Sequence, residues 1–197
     1  MRTAAGEPLR CLLYVERDYS FEILRPLQME ARRRGYDVRW FLGPDASSGI
    51  LQDGETRTET VAEAVAYVPH AVFAPGDRVP SFIPGLKVGV FHGLDESKRG
   101  APYPERGLFD LYCTEGPSRT ADLETLARKR GYFVVRETGW LKLDAILNTP
   151  SDRTDYGRPQ ILYASTFTPR LSSAKALLPS AVVGTATRSN PPPVDRR

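Results

Sequence analysis

The sequence predicts an α/β protein built on a doubly wound, mostly parallel sheet. Short apolar runs recur along the chain, and amphipathic stretches with helical spacing separate them. The apolar runs are continuous rather than alternating, as expected for strands covered on both faces. Helix ends are also marked. Arg32-Arg33-Arg34-Gly35 places cations at a carbonyl end and then a glycine cap, and Gly131 ends another amphipathic stretch.

Arg10 to Val15 reads as the first strand. Asp18 or Ser20 can cap the helix after it, whose apolar positions Phe21, Leu24, Leu27 and Ala31 share one face. Pro26 should kink this helix or open its second part. Tyr36 to Leu42 is the second strand, Thr58 to Tyr67 a helix, and His70 to Ala74 the third strand. Lys87 to Phe91 follows as a strand running into His92-Gly93, and Leu108 to Cys113 as the next. Gly116-Pro117-Ser118 opens a helix carrying Leu123, Leu126 and Ala127 on one face. Phe133 to Val135 is the last strand of this unit; a turn at Thr138-Gly139-Trp140 and a helical turn at Leu143 to Leu147 complete it.

Beyond it, Ser151 to Arg158 is polar and reads as a linker. Gln160 to Ala164 is again strand-like, and Ser180 to Arg197 lacks the large apolar side chains that offset ordering entropy. The expected organisation is a domain over 1–150, a linker and the first strand of a truncated second domain over 151–178, and a disordered tail over 179–197.

The chain carries 27 basic and 24 acidic side chains. From Leu171 onward there are four cations and one anion, which leaves 23 of each sign in residues 1–170. A neutral domain argues against a nucleic-acid partner, whose binding needs the excess on the folded part. Two cysteines, Cys11 and Cys113, lie in apolar runs and read as small core residues, not as a disulfide framework or metal site. No signal peptide and no membrane-length apolar run is visible, so a cytoplasmic location without a transmembrane segment is expected. The Gly-rich fingerprints of P-loop and dinucleotide sites and the Gly-x-Ser-x-Gly elbow are absent, and no cofactor is expected.

Ligands of an open parallel sheet bind beyond the carboxyl ends of its strands. Three loops there carry polar groups: Glu16-Arg17-Asp18, the stretch from His92-Gly93 to Lys98-Arg99, and Thr114-Glu115-Gly116. A neutral His92 can take a proton from a hydroxyl, Gly93 allows a sharp turn or close approach, and Lys98 and Arg99 suit a phosphate. Structural alternatives stand beside these roles. His92 can be a hydrogen-bonded strand-end residue, and Lys98-Arg99 a solvated pair. Asp18 reads first as a helix cap, and Glu115 first as a partner of a helix amino terminus.

Four stretches in this order resemble the CDP-glycerol glycerophosphotransferases, the teichoic-acid polymerases and primases. They are Tyr14-Val15-Glu16-Arg17-Asp18 with its helix to Arg34-Gly35, Val88-Gly89-Val90-Phe91-His92-Gly93, Phe109 to Pro117, and Thr138 to Asp144 paired with Ile161 to Phe167. The resemblance spans roughly residues 10–178. It implies the Rossmann-like N-terminal half of a two-domain GT-B fold, which receives the acceptor while the other half binds the donor's cytidine diphosphate. It implies His92 as the base for the acceptor hydroxyl; the strand-end loops themselves make Gly93, Lys98, Arg99, Glu16, Asp18 and Glu115 the candidate acceptor- and phosphate-binding residues. The implied partners are a polyol-phosphate or lipid-linked acceptor at the inner face of the membrane, CDP-glycerol only together with a C-terminal domain, and a partner chain where one completes the site. The isolated chain is then expected to be inactive or very weak. Two other classes fit the same residues: a non-catalytic binding module, and another GT-B enzyme such as a glycosyltransferase or nucleotide-sugar epimerase.

Overall fold

Seven strands pair side by side in the order β3-β2-β1-β4-β5-β6-β7, and every pairing is parallel. They are β1 (Arg10–Val15), β2 (Asp37–Leu42), β3 (Arg57–Thr58), β4 (Ala71–Ala74), β5 (Leu86–Gly89), β6 (Leu111–Thr114) and β7 (Val134–Glu137). The helices are α1 (Tyr19–Arg33), α2 (Val61–Ala66), α3 (Pro117–Arg130) and α4 (Leu141–Leu147). This computed structural model describes residues 6–93 and 109–147. The described residues all belong to one compact unit, Met1–Ser151. The strand at Gln160 to Ala164 and the tail from Ser180, both expected from sequence, lie outside them.

The side-chain alternation of β1 divides the core between the two faces of the sheet. Cys11, Leu13 and Val15 pack with Phe21, Ile23 and Leu24 of α1, and Leu141 of α4 joins them. Leu12 points the other way, to Ala64 of α2 and Val72. Leu123 of α3 packs with Tyr112, Phe133 and Val135 beside that second cluster. So α1 and α4 cover one face and α2 and α3 the other: the sheet is doubly wound and Rossmann-like, as the apolar runs predicted.

Several boundaries differ from the sequence reading, each for a physical reason. Thr58 does not begin a helix. It lies in β3, paired with Phe41, and its hydroxyl donates to the Trp40 carbonyl at 3.3 Å. Thr60 caps α2 instead, its hydroxyl accepting from the Glu63 N–H at 3.1 Å. α1 spans Tyr19 to Arg33 as one helix with Pro26 inside it. The strand expected over Lys87 to Phe91 pairs only to Gly89, because Phe91 turns into the left-handed region at φ 48°.

A buried polar network ties α1 to the loop between β2 and β3. Arg25 donates to both Glu55 carboxylate oxygens at 3.1 Å and to the Ile50 carbonyl at 2.7 Å. Gln28 turns its amide nitrogen to Glu55 at 2.9 Å and its oxygen to the Trp40 indole N–H at 3.1 Å. The Glu55 side chain is only 4% exposed. A carboxylate so deeply buried persists because each of its oxygens is met by donors.

Candidate functional site

The strand order reverses direction between β1 and β4, so the crevice of this fold opens above the carboxyl ends of those two strands. The loop after β1 supplies Glu16, Arg17 and Asp18. The loop after β4 supplies Gly76, Asp77 and Arg78, which the sequence reading passed over although the same rule points to it. The two loops meet. A Cβ on Gly76 would lie 2.6 Å from Glu16 Oε2, so glycine is what admits that carboxylate. Arg78, otherwise exposed, approaches Glu16 at 3.9 Å.

Asp18 occupies the position before α1, but it is helical in backbone and makes no side-chain cap bond. Its Oδ1 instead accepts from the Ser47 N–H at 2.7 Å, pinning the loop after β2 against the start of α1. The capping role expected from its residue type is therefore replaced by a tie between loops. Cys11 is buried and paired with no other cysteine, and burial, aided by the nearby Asp37, pushes its thiol up to about 11. Burial raises the Cys113 thiol as well. Both behave as core residues.

His92 follows β5, next to β4 in the sheet, and its side chain is exposed. Its ring lies beside that of Tyr19, the first residue of α1, with centroids 5.2 Å apart and planes at 59°. The structure thus brings the end of β5 to the first turn of the helix that leaves the β1 loop. The backbone enters the left-handed region at Phe91, φ 48°, two residues before Gly93. Among the described residues, a Cβ on Gly93 would meet nothing within 4 Å. Lys98 and Arg99 lie outside the described residues.

Glu115 joins a second buried charge. Arg119, in the first turn of α3, is 3% exposed and contacts the Glu115 carboxylate at 2.8 Å. Its two terminal nitrogens each donate to the Gly93 carbonyl at 3.2 Å, and its guanidinium carbon sits 4.3 Å over the Phe91 ring. Phe91 also stacks on Tyr112 of β6. The sequence reading missed Arg119 because it lies outside the apolar face of Leu123, Leu126 and Ala127, where a cation reads as solvated. The one available signal was the spacing of Glu115 and Arg119, four residues apart.

The site thus joins an exposed imidazole, carboxylates at Glu16 and Asp18, and exposed cations at Arg17 and Arg78. Such a set can accept a proton from a hydroxyl and hold an anionic group nearby. Among the described residues, no three His, Cys, Asp or Glu side chains cluster to hold a metal ion. No family model matches the chain, and neither curated proteins nor solved structures offer a match.

Proposed function

We propose that this unit is the acceptor-side domain of a phosphoglycerol transferase of the CDP-glycerol type. The observation that carries the reading is the position of His92, exposed at the end of β5 beside the switch-point crevice. The resemblance around Val88 to Gly93 gives that position its chemistry. His92 accepts the proton of a polyol-phosphate hydroxyl as the oxygen attacks the β-phosphorus of CDP-glycerol. The new O–P bond forms as the bond to CMP breaks, and CMP leaves with the electron pair. Arg78 and Arg17 attract the phosphate of the acceptor. Donor nucleotide belongs to a second, separate half of such an enzyme. The reading sets the reaction in the cytoplasm, at the membrane face that presents a lipid-linked acceptor. Among the described residues, no helix is long and apolar enough to cross a membrane.

The test is titration with glycerol 3-phosphate, the smallest polyol phosphate, followed by the His92 ring signals in NMR. A saturable shift that inorganic phosphate does not reproduce is expected, together with its loss in Arg78→Ala. No saturation by about 10 mM, near −2.7 kcal/mol, overturns acceptor binding. Calorimetry showing CDP bound tighter than about 10 μM, near −7 kcal/mol, overturns the assignment to the acceptor side.

A further inference from the structure

One side chain contacts both sequence neighbours of His92, the ring of Phe91 and the carbonyl of Gly93. The last ladder bond of the β5 segment runs from the Val90 N–H to the Ala74 carbonyl at 3.0 Å. Phe91 then adopts φ 48°, a conformation that a bulky residue holds only when its surroundings impose it. Arg119 supplies those surroundings. Its guanidinium lies over the Phe91 ring, and both its terminal nitrogens hold the Gly93 carbonyl. Glu115 accepts from one of the same terminal nitrogens at 2.8 Å and holds the guanidinium in place.

We infer that Arg119 is the positioning residue for His92: it locks Phe91 and Gly93 so that the imidazole projects from the strand end and stays beside Tyr19. This rests on His92 being the working group of the crevice, as set out above. A purely stabilising role explains the pair less well, because a buried ion pair contributes little over an apolar pair of similar volume. What the planar fork adds is geometry: two parallel donors on one carbonyl and a flat face on one ring. Lysine offers neither.

The deciding variant is the double change Glu115→Gln with Arg119→Met, which removes both charges together and leaves no buried ion unpaired. Thermal unfolding reports the fold, and NMR reports His92 through its ring shifts and its proximity to Tyr19. Wild type is expected to show one sharp set of His92 signals with a cross-peak to Tyr19. The folded double variant is expected to lose the cross-peak and move the ring signals to values of an unrestrained histidine. An unchanged cross-peak and unchanged shifts in the folded double variant overturn the proposal. If the double variant does not fold, Arg119→Lys is read the same way: a weakened cross-peak supports the clamp, and an unchanged one overturns it. Glycerol 3-phosphate separates the two readings. Wild type that shows the clamp but no response to this ligand refutes the acceptor assignment and leaves the clamp standing. A response retained alongside unchanged His92 geometry in the variant refutes the clamp alone.

Discussion

Tyr19 and His92 set their rings 5.2 Å apart, joining the first turn of α1 to the end of β5. Both side chains are exposed, so the contact orients the imidazole more than it stabilises the fold. A tilted aromatic pair contributes about 0.5–1.5 kcal/mol beyond area burial, and less where water reaches it. His92→Ala is therefore expected to change the unfolding free energy by less than about 1 kcal/mol. Denaturant titration measures this. A loss of about 1–3 kcal/mol would identify His92 as a buried structural partner instead.

Glu55 gives the opposite expectation. Its carboxylate meets Arg25 and Gln28, and its Oε2 accepts from the Gln52 N–H at 2.9 Å. Glu55→Ala removes the anion and leaves Arg25 charged in a mostly buried place. Breaking such a pair from one side costs about 3–5 kcal/mol. Replacing Arg25 and Glu55 together by Met and Leu is expected to recover much of that loss. Urea unfolding of the three proteins decides it; a loss below about 1 kcal/mol in the single variant would mean that water reaches the pair.

The sequence made the strands readable but not the buried arginines. The strands were legible because β1 and β4 are runs of mostly apolar residues that only a sheet covered on both faces can bury. The ends of α1 and α3 were legible because cations and glycine meet there. Arg57-Thr58 was not: two residues between charged neighbours carry no strand pattern, and only pairing with Trp40 and Phe41 makes them β3. At the candidate site, the strand-end rule pointed to Glu16, His92 and Glu115. Arg119 and Arg25 stayed hidden because burial of a cation depends on a partner that tertiary structure supplies. Glu55 is 30 residues from Arg25, and Gly93 is 26 from Arg119.

Gly85 and Gly131 separate two reasons for glycine. Both have positive φ, 89° and 79°. A Cβ on Gly131 would meet nothing within 4 Å, whereas one on Gly85 would run into the Pro69 carbonyl and the His70 backbone. Gly131→Ala thus incurs only the left-handed penalty, about 1–2 kcal/mol. Gly85→Ala adds a collision with backbone that the Leu86 N–H to His70 carbonyl bond, 3.0 Å, holds in place. A loss larger by about 1 kcal/mol or more is expected. Equal melting temperatures of the two variants would contradict it.

Glu30 is the acid-sensitive group of α1. Hydrogen bonds from Arg33 at 2.7 Å and from Arg34 at 2.6 Å bring its carboxyl down to about 2. A depressed carboxyl contributes stability above its ordinary value, near 4.3, and loses it as pH falls toward the folded value. The loss therefore falls between about pH 4.5 and 2. Carboxyl NMR titration is expected to place the Glu30 midpoint near 2, and Arg33→Gln with Arg34→Gln to return it toward 4. A wild-type midpoint near 4 would mean that solvent breaks both bonds.

Cys11 acts at the other end of the scale. Burial first, and Asp37 second, push its thiol up to about 11. Below pH 8 the thiol is neutral in both folded and unfolded chains and contributes no pH dependence. Between about pH 9 and 11 the unfolded chain releases the proton and the folded one keeps it, so stability falls as pH rises. Tyr67, whose hydroxyl donates to the Asp37 carbonyl at 2.9 Å, is raised further by burial, so it too keeps its proton in the folded chain across this range. Cys11→Val isolates the thiol, because valine fills a similar volume and cannot ionise. The variant is expected to match wild type at pH 7 and to lose less stability between pH 9 and 11. Parallel alkaline curves for the two proteins would show that the thiol ionises in the folded state.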